Sequence, residues 1–220
     1  MVKTFEKTAV NKVVRAAKRA SYDRGEVYDI LDSGMVCHIG FSVEEQTFVI
    51  PTIYVRFENR IYIHGANKSR MLAMLQKGIT PCVTVTHLDG LVLARSAFHH
   101  SMNYRSVVLF GKATFIEDKE EKIKAMELIT EQLLKGRWKE VRQPTEKEIE
   151  ITTILAIEIE SASAKIRKGG PVDEKEDYKL PIWAGHIPLH QHPLKIIADE
   201  HSAELEVPES VKSYMASKPN

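Results

Sequence analysis

Residues 61–106 hold three clusters of Arg, Ser and His, each set at the end of a strand-like run. The clusters are Gly65-Ala66-Asn67-Lys68-Ser69-Arg70, Leu93-Ala94-Arg95-Ser96 and His99-His100-Ser101-Met102-Asn103-Tyr104-Arg105-Ser106. Strands that end in cations and hydroxyls suit a small barrel built around a phosphorylated group.

Around that centre the chain reads as mainly β with added helices. The basic, weakly amphipathic residues 1–20 read as an arm or a short helix. Asp23 followed by Glu26 resembles a helix capping box, with Val27, Ile30 and Leu31 as the apolar face and Gly34 as the stop. Residues 36–43 read as a strand turning at Glu44-Glu45-Gln46, and residues 47–57 and 60–64 as a hairpin over Glu58-Asn59. Pro51 marks an edge or a bulge in that hairpin. Met71, Leu72, Met74 and Leu75 follow helical spacing, and Gly78 closes the helix. Asp89-Gly90, between the apolar runs 81–88 and 91–97, is a hairpin signal. Residues 105–116 read as a long strand, and residues 149–159 as the last one. Between them, 117–135 read as a helix burying Ile123, Met126, Ile129 and Leu133. About six strands without βαβ alternation give an α+β, antiparallel barrel. After Gly169-Gly170-Pro171 the composition turns to Pro, His and acidic residues. That segment is expected to be partly docked through Pro181-Ile182-Trp183-Ala184-Gly185 and loosely attached beyond Pro193. The expected organisation is an arm (1–22), a barrel domain (23–166), a docked segment (167–193) and a tail (194–220).

Thirty-one Lys+Arg against thirty Asp+Glu leave a net charge of +1, which argues against a nucleic-acid or anionic-membrane binder. No apolar run approaches a membrane span and the N-terminus lacks a signal core, so a cytoplasmic protein is expected. Cys37 and Cys82 sit in apolar, strand-like sequence and are expected as two buried free thiols, with a disulfide as the alternative.

In the first cluster Gly65 lets the backbone approach a ligand, Ser69 can donate through its hydroxyl, and Arg70 can bind two phosphate oxygens at once. The plainer alternative is a strand-to-helix turn with a solvated Arg. Arg95 and Ser96 end an apolar strand and need partners if covered; a bound anion or a structural carboxylate would serve. Tyr104, with Asn103 and Arg105, could wall and hydrogen-bond a polar ring, or the segment is simply an inter-strand loop. His64 lies at a strand end, where a structural role is the commoner one. His186, His190 and His192 are broken up by Pro188 and Pro193, so no metal site is expected.

Together these segments, with Gly136-Arg137-Trp138, Ser163-Ala164-Lys165 and Trp183-Ala184-Gly185, resemble the pyridoxamine 5′-phosphate oxidase-like, FMN-binding split-barrel superfamily. The branch it is most similar to is that of flavin-nucleotide-binding proteins related to nitroimidazole-resistance proteins. The resemblance implies a homodimer of six-stranded antiparallel split β-barrels with two FMN sites at the interface. It implies that Ile50, Pro51 and Thr52 lie along the flavin edge, that His64, Gly65 and Ala66 lie beside the flavin, and that Ser69, Arg70 and Met71 correspond to the phosphate grip. Arg105 and Ser106 match the family's Arg-Gln before a strand, and Trp183 an aromatic of the C-terminal part of the site. Arg95, Ser96, Thr86, Asn103 and Tyr104 complete the expected contacts. Two departures stand out: Met71 replaces the Lys of the vitamin-converting oxidases, and Ser106 replaces their Gln. Their C-terminal Arg-x-His is not evident either, which argues against pyridoxamine phosphate as substrate.

The resulting expectation is an FMN-dependent oxidoreductase or reductase of a small molecule, with His64 or His100 as a candidate proton carrier. Two other classes compete with it. One is a flavin carrier or redox sensor without turnover. The other is a heme-binding split-barrel protein, suggested by nine His. Deazaflavin F420 is a further cofactor of related folds.

Overall fold

A computed structural model describes residues 3–217; the extreme ends of the expected arm and tail, residues 1–2 and 218–220, lie outside the described residues. The elements run β1 (Ala20–Ser21), α1 (Arg24–Asp32), β2 (Val36–Val43), β3 (Gln46–Phe57), β4 (Arg60–Ala66), α2 (Arg70–Gln76), β5 (Cys82–Leu93), β6 (Ser101–Phe110), β7 (Ala113–Phe115) and α3 (Lys119–Leu133). They continue with α4 (Glu146–Ile151), β8 (Thr152–Glu158), β9 (Ser161–Arg167), β10 (Gly185–Pro188) and α5 (Glu209–Ala216). The ten strands form one sheet, ordered β1-β9-β6-β5-β2-β3-β4-β8-β7, with β10 added beside β5.

The sheet curls onto itself. β6 and β7 are one run broken at Gly111-Lys112, and along it β9 pairs with β6 while β8 pairs with β7. The break is forced by proximity: a Cβ on Gly111 would lie 1.6 Å from the Glu158 carbonyl oxygen. The expected strand over residues 105–116 is therefore two strands. The expected last strand, 149–159, begins instead with α4, whose capping box between Thr145 and Glu148 starts a helix that Thr152 ends. β9 then follows it. This strand is not obvious in the sequence because Ser161-Ala162-Ser163-Ala164 has weak β-propensity; burial against the barrel selects it.

The expected hairpin at Asp89-Gly90 is absent, and β5 runs straight through it. Register against β6 shifts between Leu88 and Gly90, so Asp89 is the extra residue of a β-bulge. Gly90 serves close approach instead of a turn, since a Cβ there would meet the Ile187 carbonyl of β10 at 2.8 Å. Two-residue turns at Glu44-Glu45 and Glu58-Asn59 do join β2–β3 and β3–β4, with positive φ at Glu44 and Glu58.

Alternation along the strands builds two apolar layers. Cys37, Ile39, Tyr54, Ile61, Ile63, Val83, Val85, Val107, Leu109, Leu155 and Ile157 fill the barrel, plugged by Val27, Ile30 and Leu31 of α1 and by Met71, Leu72 and Leu75 of α2. α1 starts as expected, the Asp23 carboxylate accepting from the Glu26 amide. It ends one residue before Ser33, with the Gly34 amide donating back to Leu31. Outside the barrel, α3 covers Val55, Tyr62, Ile154 and Ala156 with Ala125 and Ile129, flanked by Met126 and Leu128. Leu133, expected in that stripe, is exposed, because the helix's buried face runs through Ala125 instead.

The outer face of β2, β5 and the first half of β3 has no such cover. Val36, Val49 and Leu88 are each about half exposed there. Cys37 is buried and Cys82 half-buried, both as free thiols, and burial pushes Cys37 up to about 12. The arm is docked and carries one short 3₁₀ helix, Ala17–Arg19: Phe5 is buried and the Asn11 side-chain amide donates to the Ala162 carbonyl. In the tail, α5 is anchored where the Ser210 amide donates to Glu140. Among the described residues no helix is long and apolar enough to cross a membrane.

Candidate functional site

β3 changes partners along its length. Gln46 to Ile53 pair with β2, and Tyr54 to Phe57 pair with β4. β4 continues past that point as His64, Gly65 and Ala66, now held only by β8. The sheet is split between Ile50-Pro51-Thr52 and His64-Gly65-Ala66, and α2 starts at the split. Pro51 lies in the half of β3 that has a partner on one side only, where its missing N–H is tolerated.

Ser69 caps α2, its Oγ accepting from the Leu72 amide at a long 3.5 Å. Arg70 is exposed, with its guanidinium 4.3 Å from the centre of the Phe48 ring. Among the described residues no carboxylate pairs with Arg70 or with Lys68. Gly65 gives room to Leu72, whose Cδ1 a Cβ would meet at 3.0 Å. Met71 turns inward into the barrel core, away from the split. His64 is half-buried, its Nδ1 enclosed without a hydrogen-bond partner, and burial lowers its pKa, so the ring is neutral at physiological pH.

The other expected residues lie elsewhere. Pro51 is level with His38 and Thr84 across β2 and β5, whereas Arg95 lies beyond the other end of β5, past Leu93. There the Arg95 and Ser96 amides donate to Asp173, and the Arg95 guanidinium pairs with the same carboxylate at 3.2 Å. Of the two partners open to this segment in the sequence, the structure supplies the carboxylate. Arg105 is held bidentately by Asp89, at 2.9 and 3.0 Å. Asn103 accepts from Arg167 at 2.6 Å. The His100 ring lies beside the Ser96 carbonyl. Trp183 is 70% exposed and leans on Gly185. Thr86 and Ser106 face each other across β5 and β6, between the two groups. Within one chain the expected residues therefore form two separate clusters, at the sheet split and at the β5 end. Asp89, Asp173, Phe48 and Arg167 were not legible as site residues; Asp173 offers only its place after the Gly169-Gly170-Pro171 turn.

Asp173 ties residues 169–184 across the end of β5, and Tyr178 adds a ring 5.0 Å from the Arg95 guanidinium. Burial alone would raise the Asp173 carboxyl. The two amides and the Arg95 guanidinium outweigh that effect and hold it below its ordinary value. A depressed folded pKa contributes stability above the unfolded value, near 3.9, and loses it as pH falls through the folded value. Limited proteolysis within residues 169–184 is expected to accelerate in Asp173→Asn at neutral pH. In the unsubstituted protein it should accelerate only on strong acidification. Equal cleavage rates for the two at pH 7 would remove the tie.

The family model for pyridoxamine 5′-phosphate oxidase matches residues 23–166, the span from the cap of α1 to β9. The chain belongs to that family. It is similar to a flavocytochrome from Azotobacter vinelandii at 36% identity, covering 94% of this chain and 96% of that one with a TM-score of 0.88. An FAD and heme binding protein from Mycobacterium smegmatis is 32% identical over 89% of this chain and 97% of that one, with a TM-score of 0.84. A candidate 5-nitroimidazole antibiotic resistance protein from Bacteroides thetaiotaomicron shares the fold at 22% identity, over 67% of this chain and 86% of that one, with a TM-score of 0.58. No curated protein matches the sequence. As a member of this family, the chain has a mainly antiparallel β fold with a few helices, as expected from the sequence.

Proposed function

We propose that this protein is a flavin-binding redox protein whose sites form between two copies of the chain. The observation that carries the reading is the uncommitted cation at the sheet split. Arg95 and Arg105 are each spent on a carboxylate, whereas Arg70 stands exposed beside Ser69 and Lys68, with no paired acid among the described residues. A flavin phosphate fits that set: Arg70 offers two parallel donors, Lys68 a second charge and Ser69 a hydroxyl. Backbone groups of Pro51, Thr52, Gly65 and Ala66 would border the ring, and His64 would present a neutral imidazole able to carry a proton. The flavin supplies the electron or hydride chemistry when bound.

The open outer face of β2, β3 and β5 favours the homodimer. Its apolar residues lack cover, and Thr86 and Ser106 lie near it, between the two clusters. A second copy laid on that face would bring the Arg95, Tyr104 and Trp183 end of one chain toward the Arg70 end of the other. The six barrel strands would then be β2, β3, β4, β5, the β6–β7 run and the β8–β9 run. FMN is the flavin that the short Ser69-Arg70 grip favours. FAD, named for the Mycobacterium relative, is the competing form.

A second reading extends the first. Of the relatives described above, one is named a flavocytochrome and another an FAD and heme binding protein. His64, half-buried at the split with its pKa lowered by burial, is a histidine that would offer a neutral imidazole to a heme iron.

The test is the visible spectrum of the purified protein, with released cofactors identified by mass. A flavin spectrum is expected in the full-length protein, and Arg70→Ala should weaken flavin nucleotide affinity roughly tenfold or more while sparing riboflavin. A Soret band lost in His64→Ala would add heme. A colourless protein that takes up neither flavin nor heme would sink both readings.

A further inference from the structure

Arg167, the last residue of β9, is a buried cation without a counter-charge. It is 7% exposed. Nη1 donates to the Asn103 Oδ1 at 2.6 Å and to the Gly169 carbonyl at 3.3 Å, and Nη2 donates to the Gly170 carbonyl at 3.1 Å. Nε is enclosed and has no partner. All three acceptors are neutral, and among the described residues no carboxylate lies within ion-pair distance. Asp89 and Asp173, two acids at this end of the sheet, are already taken by Arg105 and Arg95. The like charge of Arg19 also acts on Arg167 and disfavours its charged form further.

A guanidinium removed from water and surrounded only by neutral oxygens is costly unless an anion completes it. Tyr104 is the register partner of Arg167 across the β6–β9 ladder and is itself only half-buried, so the cation lies beside it on a face that solvent reaches. We infer that Arg167, oriented by Asn103, forms a subsite for an anionic group, a phosphate or a carboxylate, brought by a bound cofactor or substrate. It is distinct within one chain from the Arg70 grip, which lies at the sheet split where α2 follows β4. The inference rests on the flavin reading for which larger molecule delivers the anion, but not for the presence of the subsite.

The experiment is thermal melting of the full-length protein in increasing inorganic pyrophosphate or citrate, at constant ionic strength. The unsubstituted protein, Arg167→Gln and Arg70→Ala are compared, together with flavin titrations of each. At least one anion is expected to raise the melting temperature of the unsubstituted protein and of Arg70→Ala, with apparent affinity reduced tenfold or more in Arg167→Gln. Pyrophosphate alone would mark a phosphate source, and citrate alone a carboxylate source. Protection that survives in Arg167→Gln, or that is absent from the unsubstituted protein, overturns the subsite. Either result leaves the flavin reading intact if flavin still binds. Should Arg167→Gln not fold, Arg167→Lys carries the test: it keeps the charge but loses the fork and should bind the anion at least threefold more weakly, and unchanged affinity overturns the proposal.

Discussion

Gly111→Ala is expected to open the sheet where it closes. A Cβ at this position lies 1.6 Å from the Glu158 carbonyl oxygen and 2.8 Å from its carbon. Both are backbone atoms at the end of β8, so no side-chain rotation relieves the contact. The same backbone carries the bridge between the paired runs: the Glu160 amide donates to Phe110, and the Glu158 amide to Lys112. Moving either run breaks these bonds and loosens Leu109, Ile157 and Ile159 in the core. The cost should exceed about 4 kcal/mol, the range reserved for a broken structural requirement. For a chain of this length that is a fall of about 8–16 °C in melting temperature. Gly169→Ala is the control. Its φ of +97 is strained for alanine, but nothing lies within 4 Å, so about 1 kcal/mol is expected. Melting followed by circular dichroism separates the two, and a Gly111→Ala protein that melts with the unsubstituted one would show that the closure is not where the sheet is held.

The contrast between Gly111 and Gly90 shows what local sequence can and cannot convey. Short-range signals were legible because their causes are short-range. The Asp23 cap, the Gly78 end of α2, and the turns at Glu44 and Glu58 each depend on a few neighbouring residues. Asp89-Gly90 has the same local form as a hairpin turn, yet its glycine answers to β10, about a hundred residues later in the chain. Gly111 likewise answers to Glu158. Nothing within ten residues of either distinguishes a turn from a bulge or a break, because the deciding atoms arrive through tertiary contact. β9 was missed for the same reason: alternating Ser and Ala become a strand only when Ala162 and Ala164 are buried against the barrel.

The site divides along the same line. Arg70, Arg95 and Arg105 are alike in sequence, each beside a Ser at a strand end. What separates them is the partner: Asp173 for Arg95 and Asp89 for Arg105, while Arg70 rests on Phe48. A cluster of cations can be seen in sequence, but which cations are already neutralised cannot. Met71 shows the converse: it follows the grip directly in the linear order, and in space it lies in the core with the other apolar residues of α2.

Tyr54→Ala is the second large effect expected. Tyr54 is fully buried inside the barrel, and its hydroxyl donates to the Leu31 carbonyl at the end of α1. Removing the ring leaves a cavity between α1 and β3, with an expected cost of about 3–5 kcal/mol. Tyr54→Phe keeps the ring and removes only the hydroxyl. The Leu31 carbonyl retains the Gly34 amide, so this change should cost only about 1 kcal/mol. The hydroxyl also explains Gly34, where a Cβ would sit 2.6 Å from the Tyr54 oxygen. Gly34→Ala alone therefore forces the ring or the helix end to move. In the Tyr54→Phe background the oxygen is gone, and the only remaining tight contact is Val85 Cγ1 at 3.1 Å. The double variant should consequently be more stable than the sum of the single losses predicts, by about 0.5–3 kcal/mol. Urea melts of the four proteins measure that coupling. Strict additivity would mean that Gly34 is required by something other than this hydroxyl.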